Sequence, residues 1–264
     1  MKRRWFALTA VLLVLTPLTV SAAPTGTNRG AMPELLGFRL GMTLPEVLAR
    51  AASLNLTVND YAPTSIAGLP GSEYRHQVTL QDVGPRGGGP KGVFMLTFSA
   101  PPEESRLVSA HRAVHYESYA PEAAPAASQL KASLTEKFGQ PTEVFQTGNA
   151  ERLTWLWARD GRLLTKDLGS PCSLLEGALL NVTTVGREGS NPAKEKIISD
   201  GCALRVEVTI LTARSGVVNT LSQRATDIAG GYRSRLVTYQ AVQDAMRKQN
   251  EKELERAKQR KPML

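Results

Sequence analysis

An eight-residue stretch near the end of the chain alternates apolar with polar side chains: Leu204, Arg205, Val206, Glu207, Val208, Thr209, Ile210 and Leu211. Successive side chains of a strand point to opposite faces of a sheet, so this alternation predicts a strand with one buried face and one face in water. Arg205, Glu207 and Thr209 are expected on the wet face. The stretch therefore predicts an antiparallel sheet as the centre of the fold.

Five other segments are also rich in strand-forming residues. They are Tyr74–Gln81, Val93–Ser99, Leu107–Tyr116, Leu153–Ala158 and Leu179–Val185. The first three are each bounded by Gly or Pro, which is typical of an antiparallel meander.

A first helix is predicted before these strands. Thr43 and Glu46 have the spacing of a capping box, and Pro45 is tolerated in the first turn. The helix is expected to end near Ala52 and to bury three side chains: Val47, Leu48 and Ala51.

A second helix is predicted from about Ala126 to Phe138. It ends at Gly139-Gln140-Pro141, which combines two common helix stop signals. Four apolar residues share one of its faces: Ala127, Leu130, Leu134 and Phe138.

The C-terminal region continues this organisation. After Gly216, an amphipathic stretch contains Leu221, Ala225 and Ile228 and pauses at Gly230-Gly231. A final helix is expected to start near Tyr232 and to lose its apolar stripe after Met246, so that only solvated side chains follow.

A helix followed by strands thus occurs about twice, which predicts an α+β fold with mainly antiparallel sheet and short packing helices. We expect one α+β domain over residues 34–240, with similar subdomains at 34–122 and 123–240 as one organisation of it. Residues 24–33 form a linker and residues 241–264 a charged helical tail.

The leader Met1–Ala23 has the composition of a cleaved secretory signal. Lys2, Arg3 and Arg4 precede an apolar run from Trp5 to Val20, and small residues follow it. Thr and Pro interrupt that run, which makes a permanent membrane anchor the weaker interpretation. The expected location is therefore the periplasm or the medium.

The two cysteines of the chain, Cys172 and Cys202, are expected to form a disulfide, because oxidation is the usual fate of a pair in an exported protein. They are not in a Cys-x-x-Cys arrangement, so a structural role is favoured over redox catalysis. A tight hairpin between the strands near Leu179 and Val206 would place the two sulfurs at opposite ends. We therefore expect the disulfide and do not expect a tight hairpin between these two strands.

The positive charge of the chain is concentrated at its ends. The formal net charge is +8, the leader carries three of the basic residues, and residues 244–264 contain seven basic and four acidic residues. A basic face backed by a recognisable nucleic-acid module is not visible, so a nucleic-acid partner is not expected. The charged tail is a candidate for peripheral contact with a membrane, and a solvated helix end is the simpler interpretation.

The chain contains three histidines. His111 and His115 are four residues apart and lie on one face of a strand, as a metal pair requires, with His76 as a candidate third ligand. Arg112 stands where a zinc protease needs its glutamate, which excludes that mechanism. We expect solvated strand histidines and no metal or other cofactor.

Phosphate binding and hydrolytic catalysis have little support in the sequence. The glycine-rich run Gly84–Gly92 fails as a phosphate loop, because Pro90 stands where the order needs Lys before Ser or Thr, and a hairpin connection is expected instead. There is no Gly-x-Ser-x-Gly nucleophile elbow. The carboxylates Glu103, Glu104, Asp160 and Asp167 lie in polar, turn-like contexts and look solvated.

Trp155 and Trp157 would share one strand face and form an aromatic platform for a sugar or a peptide, although aromatic residues at this spacing are more often core. With Arg86 and Lys91 of the glycine-rich run, they are the candidate binding surface.

Two segments resemble a known family. Gly41-Met42-Thr43-x-x-Glu46-Val47 resembles the helix entry of BamE/SmpA-like periplasmic proteins, and Phe138-Gly139-Gln140-Pro141 resembles the helix exit of such modules. The tandem arrangement also resembles that of β-lactamase-inhibitory-protein-type folds. The lipidated cysteine of BamE proteins is missing here, and this chain is longer. The resemblance implies a non-enzymatic binding module of the cell envelope.

The leading hypothesis is therefore an exported, non-enzymatic binding or scaffolding protein with a protein partner in the envelope, present as a monomer or a homodimer. A second hypothesis is a periplasmic inhibitor of a hydrolase that inserts the loop Gly84–Gly92 or Gly186–Pro192 into its target. A third is a cell-wall or saccharide hydrolase that uses carboxylates far apart in sequence.

Overall fold

The computed structural model describes residues 34–59, 63–82, 92–116, 121–166 and 171–260. The described residues belong to one compact unit that spans Ala31–Leu264. The predicted leader and linker lie outside the described residues, as do Arg86, Lys91 and Asp167.

The described residues form ten strands and five α-helices. In chain order they are β1 (Glu34–Leu35), β2 (Phe38–Arg39), α1 (Leu44–Ser53), β3 (Thr57–Asn59), β4 (Gln77–Gln81), β5 (Gly92–Phe98), β6 (Leu107–His115), α2 (Ala127–Phe138), β7 (Glu143–Thr147), β8 (Ala150–Trp157), α3 (Pro171–Leu180), α4 (Pro192–Asp200), β9 (Leu204–Thr212), β10 (Val218–Asp227) and α5 (Ile228–Gln259). Short 3-10 turns lie at Pro121–Ala123 and Val182–Thr184.

Strands β3 to β10 form one antiparallel sheet in the order β3-β4-β5-β6-β10-β9-β8-β7, and β1 and β2 form a separate hairpin. The α+β class with antiparallel sheet is therefore confirmed. A helix followed by four strands occurs twice, as α1 with β3 to β6 and as α2 with β7 to β10, but in the second set α3 and α4 lie between β8 and β9. The fourth strand of each set, β6 or β10, pairs with the other at the centre of the sheet.

One face of this sheet, which we call the packed face, carries the main apolar core. Leu80, Phe94 and Trp155 are at most 2% exposed and lie in one cluster with residues of α1, α2 and the β1–β2 hairpin. Burying a large apolar side chain stabilises a fold by roughly 1.5 to 3 kcal/mol, so this cluster is the main source of stability.

The first two helices begin and end as their sequences predict. Glu46 Oε2 accepts hydrogen bonds from the backbone N–H of Thr43 at 2.7 Å and from its hydroxyl at 2.9 Å, which forms the N-terminal cap of α1. These hydrogen bonds also lower the pKa of Glu46. Helix α2 ends at Gly139, whose φ of 82° favours glycine.

The strand predicted at Leu179–Val185 is wrong. Leu179 and Leu180 end helix α3, and a 3-10 turn follows. Helix α3 buries Cys172, Leu175, Glu176 and Leu179, and this spacing has the period of a helix. A short apolar run without its upstream neighbours does not distinguish a strand from a buried helix.

The final helix begins at Ile228 rather than near Tyr232, and the amphipathic stretch before it is strand β10. Asp227 caps the helix, because its Oδ1 accepts a hydrogen bond from the Gly230 backbone N–H at 2.8 Å. The glycine pair does not interrupt the helix. A Cβ on Gly231 would approach Leu179 Cδ1 to 2.5 Å, so a larger residue there would force the Leu179 side chain to shift where α5 contacts α3.

Candidate functional site

Helices α3, α4 and α5 pack on the second face of the sheet, but only near one end of its strands. The predicted disulfide is present and joins Cys172 of α3 to Cys202, two residues before β9, with a Cα–Cα distance of 5.3 Å. An apolar cluster that includes Leu156, Leu175 and Ile228 lies around it. The disulfide thus fastens α3 to the sheet.

A buried polar network lies under α3. Glu176 accepts hydrogen bonds from the guanidinium of Arg205 and, at 2.5 Å, from the Thr226 hydroxyl. Thr226 Oγ1 in turn lies 2.9 Å from Ser109 Oγ, and Arg205 also pairs with Glu207. Arg205 is only 6% exposed, so the prediction that it faces water is wrong. Helix α3 covers this position and supplies the carboxylate that a buried guanidinium needs.

Beyond this network, the described elements leave the second face partly exposed, although Thr154 there is only 2% exposed. Strand register aligns two rows of side chains across the sheet. From β5 to β7, the inner row is Met95, His111, Arg224, Glu207, Thr154 and Glu143, and the outer row is Val93, Ala113, Ser222, Thr209, Arg152 and Phe145. We call these two rows the open sheet face. None of the outer row is buried, and Val93 and Phe145 at its two ends are 38% and 49% exposed.

Arg224 is the cation at the centre of the open sheet face. Its partly buried side chain makes no hydrogen bond or ion pair with the described residues, and its Nε is buried without a partner. The carboxylate opposite it in the register, Glu207, is already paired with Arg205 and lies 3.9 Å from Arg152 Nε. Among the described residues, no carboxylate therefore forms an ion pair with the guanidinium of Arg224.

His111 lies beside Arg224 and is neutral. Its Nε2 is 2.9 Å from Ser222 Oγ, whereas its Nδ1 is buried without a partner among the described residues. Burial, followed by the charge of Arg224, lowers the pKa of His111 to about 4, although Glu207 opposes this shift. His111 therefore adds polarity to the open sheet face without adding charge at neutral pH.

The other two histidines lie elsewhere. His115 Nδ1 is 3.3 Å from Thr220 Oγ1 at the edge of the open sheet face. His76 lies against helix α3, with its Nε2 3.2 Å from Leu180 O and its Nδ1 3.3 Å from the Tyr74 hydroxyl. Burial lowers the pKa of His76. Within the described residues, no group of three or more His, Cys, Asp or Glu side chains is placed to hold a metal ion.

The tryptophans belong to the packed face. Trp155 is completely buried, and its Nε1 donates a hydrogen bond to Gly139 O at 2.8 Å, while Trp157 is partly buried near Phe138. Trp155 is therefore a core residue, which was the second interpretation of the sequence, and is not part of a binding platform. Among the described residues, the exposed aromatic side chain is Phe145, which the sequence analysis missed. The guanidinium of Arg152 lies 5.1 Å from its ring centre.

The loop Gly186–Pro192 is fastened at several points. Lys194 Nζ lies 2.6 Å from Glu188 Oε2, and the backbone N–H of Asn191 donates to the Tyr232 hydroxyl at 3.0 Å. The Asn191 side chain then caps helix α4. These contacts fix the loop Gly186–Pro192 at the surface, and we call it the ridge. Residues 84–91 of the other candidate loop lie outside the described residues.

The remaining carboxylates and the tail are exposed. Glu104 pairs with Arg106 and Asp160 with Arg162, all with side chains more than half exposed. Residues 247–260 of α5 are exposed throughout, so the loss of the apolar stripe after Met246 is confirmed. In the part of the chain that the structure describes, no helix has both the length and the apolar character needed to span a bilayer.

Comparison with protein-family models, with curated proteins and with solved structures yields no match for this chain.

Proposed function

We propose that this chain is an exported, non-enzymatic protein that binds or scaffolds a protein partner of the bacterial cell envelope through its open sheet face. The observation that supports the proposal is Arg224, a cation that forms no ion pair with any described carboxylate and lies at the centre of the partly exposed half of the sheet. Arginine binds carboxylates with two parallel hydrogen bonds, which gives both affinity and orientation. The expected partner therefore presents an Asp or Glu side chain to this face.

The composition of the open sheet face favours a macromolecule over a small substrate. Small and hydroxyl-bearing residues separate the charges, and the apolar Val93 and Phe145 lie at opposite ends of the outer row. A small-molecule site is usually a concave, mostly apolar pocket, whereas protein interfaces combine aromatic and arginine contacts with a polar rim. A broad row of this kind suits a protein surface.

The proposed location outside the cytosol follows from the disulfide. A Cys172–Cys202 bond fits an oxidising compartment, and the leader composition supports export. We further propose the periplasm rather than the medium, because of the resemblance of two helix-boundary segments to BamE/SmpA-like envelope proteins.

Inhibition of a hydrolase is the second candidate function, and the ridge Gly186–Pro192 is the observation that favours it. A loop held by Lys194 and Tyr232 loses little conformational entropy when it enters a cleft. Recovery of a hydrolase whose inhibition is lost on shortening this ridge would support it. Recovery of structural envelope proteins alone would contradict it.

Quantitative capture from native envelope extracts tests the main proposal. The wild-type chain and three variants, Arg224→Ala, Arg224→Lys and Arg233→Ala, are immobilised at equal density and the bound proteins are quantified by mass spectrometry. Arg233 is an exposed arginine of α5 and serves as the matched control. We expect wild type and Arg233→Ala to retain one or a few proteins. The amount of these proteins retained should fall at least about tenfold for Arg224→Ala and should be intermediate for Arg224→Lys. An unchanged set of proteins on Arg224→Ala would contradict the proposal.

A further inference from the structure

Strand β7 forms one edge of the sheet, and no described strand pairs with its outer side. Its five residues pair with β8 in unbroken register, and four of them are exposed. Val144 is 54% exposed on the packed-face side and Phe145 is 49% exposed on the side of the open sheet face. This edge therefore combines apolar side chains on both faces with a regular backbone.

The opposite edge of the sheet is different. Strand β3 is only three residues long and contacts helix α1. Natural proteins shorten, charge or bend their edge strands to prevent pairing with other chains. Strand β7 has no proline, no lysine and no bulge, and its one charged residue is Glu143 at its start.

The hydrogen bonds of β8 show which backbone groups of β7 point outward. Asn149 O and Trp157 O accept hydrogen bonds from Thr212 N and Ala203 N, so odd-numbered residues of β8 face β9. Even-numbered residues of β8 then face β7, where they pair with Glu143, Phe145 and Thr147. The N–H and C=O groups of Val144 and Gln146 consequently point away from the sheet.

We propose that β7 pairs antiparallel with β7 of a second copy of this chain, about a two-fold axis at Phe145. In this register Phe145 lies opposite Phe145 of the second copy, and the outward groups of Val144 meet those of Gln146. Glu143 lies opposite Thr147, so no like charges face each other. An antiparallel isologous contact requires such self-complementarity, and β7 has it.

The paired edge would double the eight-stranded sheet and join the two open sheet faces at the Phe145 pair. The pairing requires the edge strand alone and does not depend on the proposed function. A partner that does bind the open sheet face would then meet two copies of the Arg224 site on one surface, which raises its avidity.

Sedimentation velocity over protein concentrations up to roughly 1 mM tests the pairing. Wild type is expected to change reversibly from monomer to dimer. Gln146→Pro removes only an N–H that points outward, so the variant should fold as wild type does by circular dichroism and dissociate at least about tenfold more readily. Gln146→Thr keeps the N–H and should dimerise as wild type. A monomeric wild type at every concentration would overturn the proposal, as would equal dimerisation of Gln146→Pro.

Charge variants at the axis give an independent test that does not rely on proline. Phe145→Glu and Phe145→Arg each place like charges opposite each other in a dimer and should be monomeric alone. An equimolar mixture should restore a heterodimer, because Glu then faces Arg. Failure of the mixture to associate would overturn this register. Binding of an extended segment of another protein to β7 would leave all samples monomeric and would also count against the proposal.

Discussion

The two faces of one sheet carry opposite kinds of side chain, although they alternate along the same strands. On β10, Leu221 and Ala225 enter the core of the packed face, while Ser222 and Arg224 lie on the open sheet face. Among the described elements, α1, α2 and the β1–β2 hairpin cover the packed face, whereas α3 to α5 cover only part of the other face. The apolar face therefore stabilises the fold, and the proposed binding is assigned to the polar face.

The largest expected effect is on the packed face. Trp155→Ala removes a completely buried ring and its hydrogen bond to Gly139 O, and should lower the free energy of unfolding by about 3 to 5 kcal/mol. Phe145→Ala, at the exposed end of the open sheet face, should lower it by less than about 1 kcal/mol. Urea unfolding of both variants measures the contrast. Equal losses would remove the distinction between the two faces.

The next-largest loss of stability is expected on removal of the Cys172–Cys202 disulfide, which lies in the covered part of the second face. Replacing Cys172 and Cys202 with Ala releases a loop of 30 residues and should cost about 3 to 4 kcal/mol on the chain-entropy model. Hydrogen exchange should rise first in α3, because the disulfide fastens this helix over Glu176. A reductant should reproduce both results in wild type. Unchanged protection of α3 would show that its apolar contacts alone hold it.

A smaller effect is predicted for pH. The pKa of His111 is lowered to about 4 in the folded chain, below its ordinary value of 6.5, so between these pH values the unfolded chain binds a proton that the folded chain does not. Stability should therefore fall as pH drops from about 6.5 to 4. His111→Asn should show a shallower fall when unfolding is measured across this range. His76 contributes in the same direction, so some dependence should remain. If the free energy of unfolding of His111→Asn depends on pH as steeply as that of wild type, His111 is solvated.

The smallest expected change in stability is at the centre of the open sheet face. Arg224→Ala removes a cation that has no partner among the described residues, so the free energy of unfolding should change by less than about 0.5 kcal/mol. Binding of the captured partner should weaken at least about tenfold in the same variant. Thermal unfolding and calorimetric titration separate the two quantities. A large loss of stability would reassign Arg224 to the fold.

Local sequence patterns predicted much of the packed face and little of the open one. The alternation of residues 204–211 and the stop at Gly139 depend on local backbone chemistry, and both are confirmed. The burial of Arg205 depends on Glu176, which is 29 residues away in the chain, and no local pattern reports such a contact.

Phe145 was missed for a related reason. Strand β7 is short and mostly exposed, so it shows no alternation of buried and exposed residues. The apolar pair Val144-Phe145 just after the helix stop was the available signal. Helix α3 was mistaken for a strand because only its last apolar residues were considered.

Site-specific crosslinking in the native envelope tests the central claim most directly. A photoreactive residue replaces either Ser222 on the open sheet face or Ser133, an exposed serine on the outer side of α2. We expect a discrete covalent adduct with one partner from position 222, its loss on adding Arg224→Ala, and no such adduct from position 133. Equal adducts from both positions, or an adduct from 133 alone, would contradict it.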